Sequence, residues 1–366
     1  MLKNVSRNNN HWHALILAGG RGTRFWPRSR KAAAKQVLDL TGEGPLIRLT
    51  VDRLLPLASP ERIWVLTSRD LRPAICRLLP EVPAKQVLAE PVGRNTAPAI
   101  GLAARIMRDV DPEAVMGVFP ADHHIGRAAA FRKLAAAAWR EAAAGRMVLL
   151  GIAPRWPETG YGYIEFPPDS LKPGSLKPAP VLRFREKPDL ATARRYLRSG
   201  NYLWNAGIFF WPAALYLEHL RHCLPKTSQL IESLPPFGKK NFLARLNEIF
   251  PQCDNISVDY AVLEKTAGIA GFAAGDIGWS DLGSFNAVYE LLAKDGSGNA
   301  SRGELLALDA RGNYADAPGK LVALLGVEDL VVVDTPDALL VTRREHAQRV
   351  SEIVKALEAS GRDELL

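Results

Sequence analysis

Four short apolar runs, at residues 13–18 (HALILA), 63–67, 115–119 and 147–152, alternate with stretches of helical periodicity at residues 46–55, 97–108 and 131–144. No other feature constrains the fold as tightly. Continuous apolar runs of this length read as strands buried on both faces. Helices between them supply the cover, and the βαβ spacing makes consecutive strands parallel. The expectation is an α/β domain whose ligands sit at the carboxyl ends of its strands.

The texture changes after residue 293. Gly296, Gly298, Gly303 and Gly312 punctuate short strand-like pieces at residues 305–308, 321–325, 330–333 and 338–341. Short, evenly spaced strands without helices between them predict a small all-β unit. A last amphipathic helix is expected over 345–358. The boundary falls near residue 294 and divides the chain into 13–294 and 295–366. The polar, Asn-rich start of the chain lacks the apolar stretch of a signal peptide and reads as a flexible leader over residues 1–12. Residues 167–180, rich in Pro, Lys and Gly, predict a surface loop. Pro235 and Pro236 mark a second break before a helix near 240–249.

A net charge of +8 raises nucleic acid as a partner. The arginines are scattered through apolar segments, with no long basic block and no aromatic interleaving, which argues against it. Such a surface instead favours small polyanionic substrates. The three cysteines, Cys76, Cys223 and Cys253, form no CxxC pair. That argues against a zinc site or a disulfide framework and fits a reducing cytoplasm. No run of about eighteen apolar residues is present, so no membrane span is expected.

Residues 17–27 (LAGGRGTRFWP) place Gly19, Gly20 and Gly22 directly after the first strand, with Thr23 and Arg24 following. Glycines let the backbone approach a ligand, and successive N–H groups form a concave anion site. Arg24 adds a bidentate donor for phosphate oxygens. The spacing is neither a Walker loop nor GxGxxG. Lys35 follows at a distance that can return a second cation to the same phosphates. In residues 118–124 (VFPADHH) an apolar strand runs straight into Asp122. A carboxylate there suits a magnesium ion bridging substrate phosphates; a turn or cap aspartate is the competing reading. His123 and His124 read as structural, since hard Mg²⁺ prefers oxygen. Asp281, in the glycine-flanked turn GWSDLGS, is a second isolated carboxylate that could share the metal or serve only its turn. Glu186 and Lys187 precede Pro188, which ends a strand and can re-aim them toward a sugar and its phosphate. An exposed charge pair is the alternative.

Together with EPVGRNTAPAI, PETGYGYIE, REKP, YLWNAGIFFW and SVDYAVLEKT, these segments occur in the order seen in bacterial mannose-1-phosphate guanylyltransferases. The chain resembles that family densely over residues 13–290 and more weakly beyond. The resemblance implies a Rossmann-like nucleotidyltransferase domain of the glycosyltransferase-A type with a mixed sheet. It also implies a small C-terminal left-handed β-helix, as in the short forms that lack the isomerase domain of longer relatives. The implied reaction joins GTP to α-D-mannose 1-phosphate, giving pyrophosphate and GDP-mannose, a polysaccharide precursor, with Mg²⁺ as cofactor. Leu17, Gly19, Gly20, Gly22, Thr23 and Arg24 would cradle the triphosphate. Arg24 and Lys35 would neutralise the departing pyrophosphate, and Asp122 and Asp281 would hold the metal. Glu90, Asn95 and Thr96 would lie beside the base, with Glu90 accepting from guanine N1–H and the N2 amino group. Gly160, Tyr161, Gly162, Glu186, Lys187 and Asn205 would form the sugar-phosphate site. The partners implied are the two small substrates; the assembly state stays open, a homodimer among the options.

One departure stands out. The family has Pro-Lys-Gln-Phe where this chain has Ala34-Lys35-Gln36-Val37, which predicts a less pre-organised Lys35. Two rival readings compete: a guanylyltransferase for glucose, fucose or heptose 1-phosphate, and a non-catalytic homologue that senses GDP-mannose. The presence of Asp122, Asp281 and Arg24 argues against the second.

Overall fold

Along Trp12–Ala18 (β1), Ala14 and Ile16 pack into one apolar layer and Leu15 into the other, so the strand is buried on both faces. The computed structural model describes residues 11–366. Of the leader expected over residues 1–12, residues 1–10 lie outside the described residues. His11 and Trp12 already belong to the fold: Trp12 is 3% exposed, and His11 Nδ1 lies 2.9 Å from Asp111 Oδ1.

Parallel to β1 run β2 (Ile63–Ser68), β3 (Val87–Glu90) and β4 (Val115–Pro120), in the order β3-β2-β1-β4. The crossovers are helical: α1 (Leu46–Leu54), α2 (Arg72–Leu78) and α3 (Thr96–Val110). After the two-residue strand β5 (His124–Ile125) comes α4 (Ala128–Ala143), then β6 (Val148–Ile152). The strands and helices expected from the sequence up to here hold to within a few residues, whereas α2 and β3 were not among them.

The sheet is not parallel throughout. Past the short strands β7 (Tyr163–Glu165), β8 (Ala179–Pro180) and β9 (Arg183–Arg185) and helix α5 (Leu190–Ser199), the chain forms β10 (Tyr202–Pro212). This strand enters antiparallel between β4 and β6. Its aromatic side chains suit both faces of a central strand, and Phe210 and Trp211 are fully buried on opposite layers. Helices α6 (Ala213–Cys223), α7 (Pro225–Glu232), α8 (Phe242–Ile249) and α9 (Val258–Ala261) follow. Then β11 (Ala270–Ala273) joins the sheet parallel to β6, β12 (Trp279–Ser280) pairs with β5, and α10 (Phe285–Leu291) ends this part.

The C-terminal unit is β, but its first two strands are longer than the sequence suggested. They are β13 (Ala300–Leu308) and β14 (Tyr314–Leu325), followed by β15 (Leu330–Asp334) and β16 (Leu339–Arg343). The first three are parallel neighbours, stacked as coils of a β-helix, and β16 closes antiparallel. Gly303, at φ 122°, lets β13 bend where a Cβ would meet the Ala317 carbonyl at 2.6 Å. Buried Asn299 and Asn313 stack at one corner: Asn313 Nδ2 donates to Asn299 Oδ1 at 2.9 Å, and Asn313 Oδ1 accepts from the Leu330 amide at 2.8 Å. The last helix begins as a 3₁₀ turn, Arg344–Arg349, before α11 (Val350–Ala359).

A third apolar cluster ties this unit to the α/β domain. Phe25 and Trp26 of the glycine loop pack with Phe285, Val350, Val354 and Leu366. The Trp26 indole donates to the Leu365 carbonyl at 2.9 Å, and Arg28 Nε donates to the fully buried Asp316 at 2.9 Å. No helix among the described residues is long and apolar enough to cross a membrane.

Candidate active site

The carboxyl ends of β1, β3 and β4 open on one cleft of about 560 Å³, where a parallel sheet puts its ligands. Leu17, Gly19 and Gly20 line it from β1, Glu90 from β3, and Asp122 and His123 from the turn after β4. Asn95 and Thr96 stand at its edge. Asn95, at φ 63°, caps α3 by accepting from the Thr96 amide at 2.9 Å, and Thr96 Oγ1 accepts from the Val258 amide at 2.9 Å.

Lys35 and Gln36 hold the loop from beneath. Gln36 Nε2 donates to the Ala18 carbonyl at 2.7 Å and to the Gly20 carbonyl at 3.0 Å. The sequence reading gave Gln36 no role, and its neighbour's charge drew the attention. Gly22 sits at φ 62°, and a Cβ there would lie 2.5 Å from Lys35 Cβ. Lys35 is 5% exposed and donates to Asp122 Oδ2 at 2.8 Å and to the Asp281 carbonyl at 2.6 Å. This geometry runs against the looseness expected of Lys35. Ala34 adopts φ −70°, within proline's range, and two oxygens fix the ammonium without the ring.

Asp122 and Asp281 meet across Lys35. Burial alone would raise the Asp122 carboxyl, but the Lys35 ammonium holds it below the ordinary aspartate value. The Asp281 carboxylate faces the Tyr161 hydroxyl; burial first, then that carboxylate, pushes the phenol's pKa up. Tyr161 itself packs edge-on between Trp204 and Trp279, with ring centroids at 5.2 and 5.7 Å. Trp279 Nε1 lies 3.2 Å from His123 Nδ1, and burial depresses the His123 pKa, so a neutral imidazole accepts that bond. His123 thus serves to position Trp279, in line with its structural reading.

At the other end of the cleft lie Gly162, Glu186, Lys187 and Asn205. Between Asn205 and Phe209 the register of β10 against β6 shifts, and this bulge leaves Asn205 facing the cleft. Asn205 Nδ2 donates to Asp259 Oδ1 at 3.0 Å. Asp259 lines the cleft too, and sequence reasoning had quoted its segment, SVDYAVLEKT, without giving it a role. Burial and the Asp259 charge push the Glu186 carboxyl up to about 7. A Cβ on Gly162 would come within 2.5 Å of Glu186 Oε2, so a side chain there would displace that carboxylate. The Gly160 amide is already used, donating to Glu158 Oε1 at 2.8 Å.

Gly22, Thr23, Arg24 and Lys35 do not line this cleft. They line an adjoining cavity of about 430 Å³ that shares Asp122, His123 and Asp281 with it. Arg24 is exposed and makes no ion pair or hydrogen bond among the described residues. Ser351 and Lys355 of α11 complete the wall. No sequence signal pointed to them, since they lie beyond the expected domain boundary.

Two orphaned carboxylate oxygens face this system. Glu90 Oε1 and Glu186 Oε2 are buried without a hydrogen-bond partner. Burial pushes the Glu90 carboxyl up to about 7. Such oxygens call for a donor, which water, an ion or a ligand can supply. The two carboxylates stand at the two ends of the cleft, with Asp122 and Asp281 between them and the second cavity.

Two family models match the chain: the nucleotidyl transferase family over residues 13–298, and the MannoseP isomerase/GMP-like beta-helix domain over residues 303–357. Among curated relatives, the xanthan biosynthesis protein XanB of Xanthomonas campestris is 40% identical over 96% of this chain and 74% of its own length. A mannose-1-phosphate guanylyltransferase of Escherichia coli is 38% identical over the same shares, 96% and 74%. Among solved structures, one described as a mannose-1-phosphate geranyltransferase from Thermus thermophilus is 35% identical. It superposes with a TM-score of 0.84 over 95% of this chain and 99% of that one.

Proposed function

The chain belongs to the nucleotidyl transferase family and also carries a MannoseP isomerase/GMP-like β-helix domain, and from this we infer that it is a mannose-1-phosphate guanylyltransferase. It converts GTP and α-D-mannose 1-phosphate to GDP-mannose and pyrophosphate. The observation that carries the reading is one cleft with a buried, unpartnered carboxylate oxygen at each end, Glu90 Oε1 and Glu186 Oε2, and the Asp122–Lys35–Asp281 cluster beside it.

Glu90 reads the base: its unpaired carboxylate accepts from guanine N1–H and the N2 amino group, a donor pair that adenine lacks. Leu17, Gly19 and Gly20 bring backbone close to the nucleotide, and Asn95 and Thr96 border it. Glu186, Asn205 and Asp259 accept or donate to sugar hydroxyls, and Lys187 meets the sugar phosphate. Tyr161, with the backbone of Gly160 and Gly162, walls that end of the cleft. Gly22, Thr23, Arg24 and Lys35 take the β- and γ-phosphates in the adjoining cavity.

Asp122 and Asp281 present hard carboxylate oxygens where both cavities meet, a donor set that fits Mg²⁺. When bound there, the ion would neutralise charge on the substrate phosphates. The phosphate oxygen of mannose 1-phosphate attacks the α-phosphorus of GTP in line, and the bond to pyrophosphate breaks. No general base is needed, because the attacking phosphate monoester is already an anion near neutral pH. The protein contributes positioning and fixed positive charge, with Lys35 and Arg24 stabilising the leaving group.

The deciding experiment is pyrophosphate release from four nucleoside triphosphates crossed with mannose, glucose, fucose and heptose 1-phosphates. GTP with mannose 1-phosphate should dominate. Turnover centred on another sugar would reassign the substrate. Tight GDP-mannose binding with no turnover for any pair would make the chain a sensor.

A further inference from the structure

His123 lines the catalytic cleft, while its neighbour His124 lines a separate pocket of about 280 Å³. The wall of that pocket includes His124, Ile125 and Gly126, and its other residues come chiefly from α1 and α4. Arg53 of α1 lines it and is only 7% exposed, yet makes no hydrogen bond or ion pair among the described residues. Its guanidinium stands 5.7 Å from the Phe131 ring centroid, which compensates little of its lost hydration. Burial pushes Arg53 down to about 10. A cation this deeply buried, opposed by the exposed Glu43 charge but held by no hydrogen bond, is costly for a fold to keep.

Two further features point at the same space. Helix α4, 16 residues long, begins at Ala128 on the pocket wall, and its cap residue Arg127 offers no side-chain acceptor to the first amides. Those amides and the helix dipole favour an anion. Arg132, one turn into the same helix, is half-buried, lines the pocket and has no partner among the described residues. Two acids line the pocket as well: Asp52, engaged by Arg48 at 2.6 Å, and the exposed Glu43, whose charge acts on both Arg53 and His124.

We propose that this pocket is a binding site for a small phosphate-class anion, held by Arg53, Arg132 and the uncapped start of α4. Orthophosphate and a phosphate monoester share the required chemistry. The site lies against β5, whose partner β12 leads into Asp281 and whose own chain comes directly from Asp122. An anion there would brace the strand pair that presents both carboxylates.

Inorganic phosphate, titrated calorimetrically into the full-length protein, is the probe. Arg24→Ala removes a cation of the catalytic cavity and separates binding there from binding here. The expected result is a phosphate-binding event that survives Arg24→Ala and weakens at least tenfold in Arg132→Ala and in Arg53→Gln. Glycerol 3-phosphate, run in parallel, assigns the monoester if it binds tighter and the free ion if it binds more weakly. Should Arg53→Gln fail to fold, Arg132→Ala decides alone, because Arg132 is half-buried and unpaired. Unchanged phosphate binding in Arg132→Ala, or no event left once Arg24 is removed, overturns the proposal. Guanylyl transfer by the parent protein is measured separately and does not bear on this outcome.

Discussion

Lys35 Nζ lies 2.8 Å from Asp122 Oδ2 and binds Asp281 only through its main-chain carbonyl, at 2.6 Å. The two carboxylates are therefore not equivalent. Asp122→Asn should remove a ligand and weaken the hold on Lys35, whereas Asp281→Asn leaves the Lys35 contact intact. Each is expected to lower turnover by about 10²–10³, the usual loss for one preorganised electrostatic contact. The proposed shared ion predicts that the double mutant loses less than the product. Excess Mg²⁺ or Mn²⁺ should rescue Asp281→Asn better than Asp122→Asn. Steady-state rates against metal concentration test this, and near-normal turnover at limiting metal would remove the mutated residue from the site.

Glu90 supplies a pH signature. Its carboxyl is raised to about 7 by burial, against about 4.3 in an unfolded chain. The stability it contributes is complete below about pH 4 and is lost as pH rises through about 7. Thermal melts of the ligand-free protein should show Glu90→Gln gaining on the parent between about pH 4 and about pH 7. The proposed reading of guanine by Glu90 requires the ionised form, so the parent's preference for GTP over ATP should grow as pH rises through about 7. In Glu90→Gln that preference should be smaller and flat. Unaltered discrimination in the variant would hand base reading to the backbone.

Ala34 lies at φ −70° and ψ 165°, and its amide makes no main-chain hydrogen bond. Ala34→Pro should therefore stabilise the protein by roughly 0.4–1 kcal/mol through the unfolded state, without changing turnover. Ala34 is 1% exposed, so a lower melting temperature would mean that the ring finds no room.

Lys355 reaches the phosphate-side cavity from α11. Its charge is exposed and makes no ion pair among the described residues. Lys355→Ala should raise KM for pyrophosphate in the reverse reaction about two- to fivefold, the scale of an exposed charge contact. KM for GDP-mannose should not move. Equal effects on both substrates would point to a general disturbance of the fold.

The first half of the fold was legible because its strands are continuous apolar runs and its helices are periodic. The glycine loop, Asp122 and Glu186 could be found because each follows an apolar run that reads as a strand, whereas Glu90 came only from the family resemblance, its strand β3 being too short to stand out. Strand β10 was harder: its aromatic run YLWNAGIFFW gives no clue to direction, and its antiparallel entry depends on the whole sheet. Gln36 and Asp259 carried no local signal, since their roles arise from contacts with Ala18 and Asn205 that exist only after folding. Lys355 was invisible for the same reason, being more than 300 residues from the loop it adjoins.

The seat of α11 on Phe25 and Trp26 has a consequence for how such chains can be recombined. Two family models meet near residue 300, which invites a crossover there. A chimera joined at that seam would inherit its phosphate loop from one parent and the underside of that loop from another. Val350, Val354 and Leu366 would face foreign aromatic rings, and Asp316 would need a foreign arginine. Modular exchange is thus restricted to parents that agree at these few facing positions, however cleanly the sequence divides.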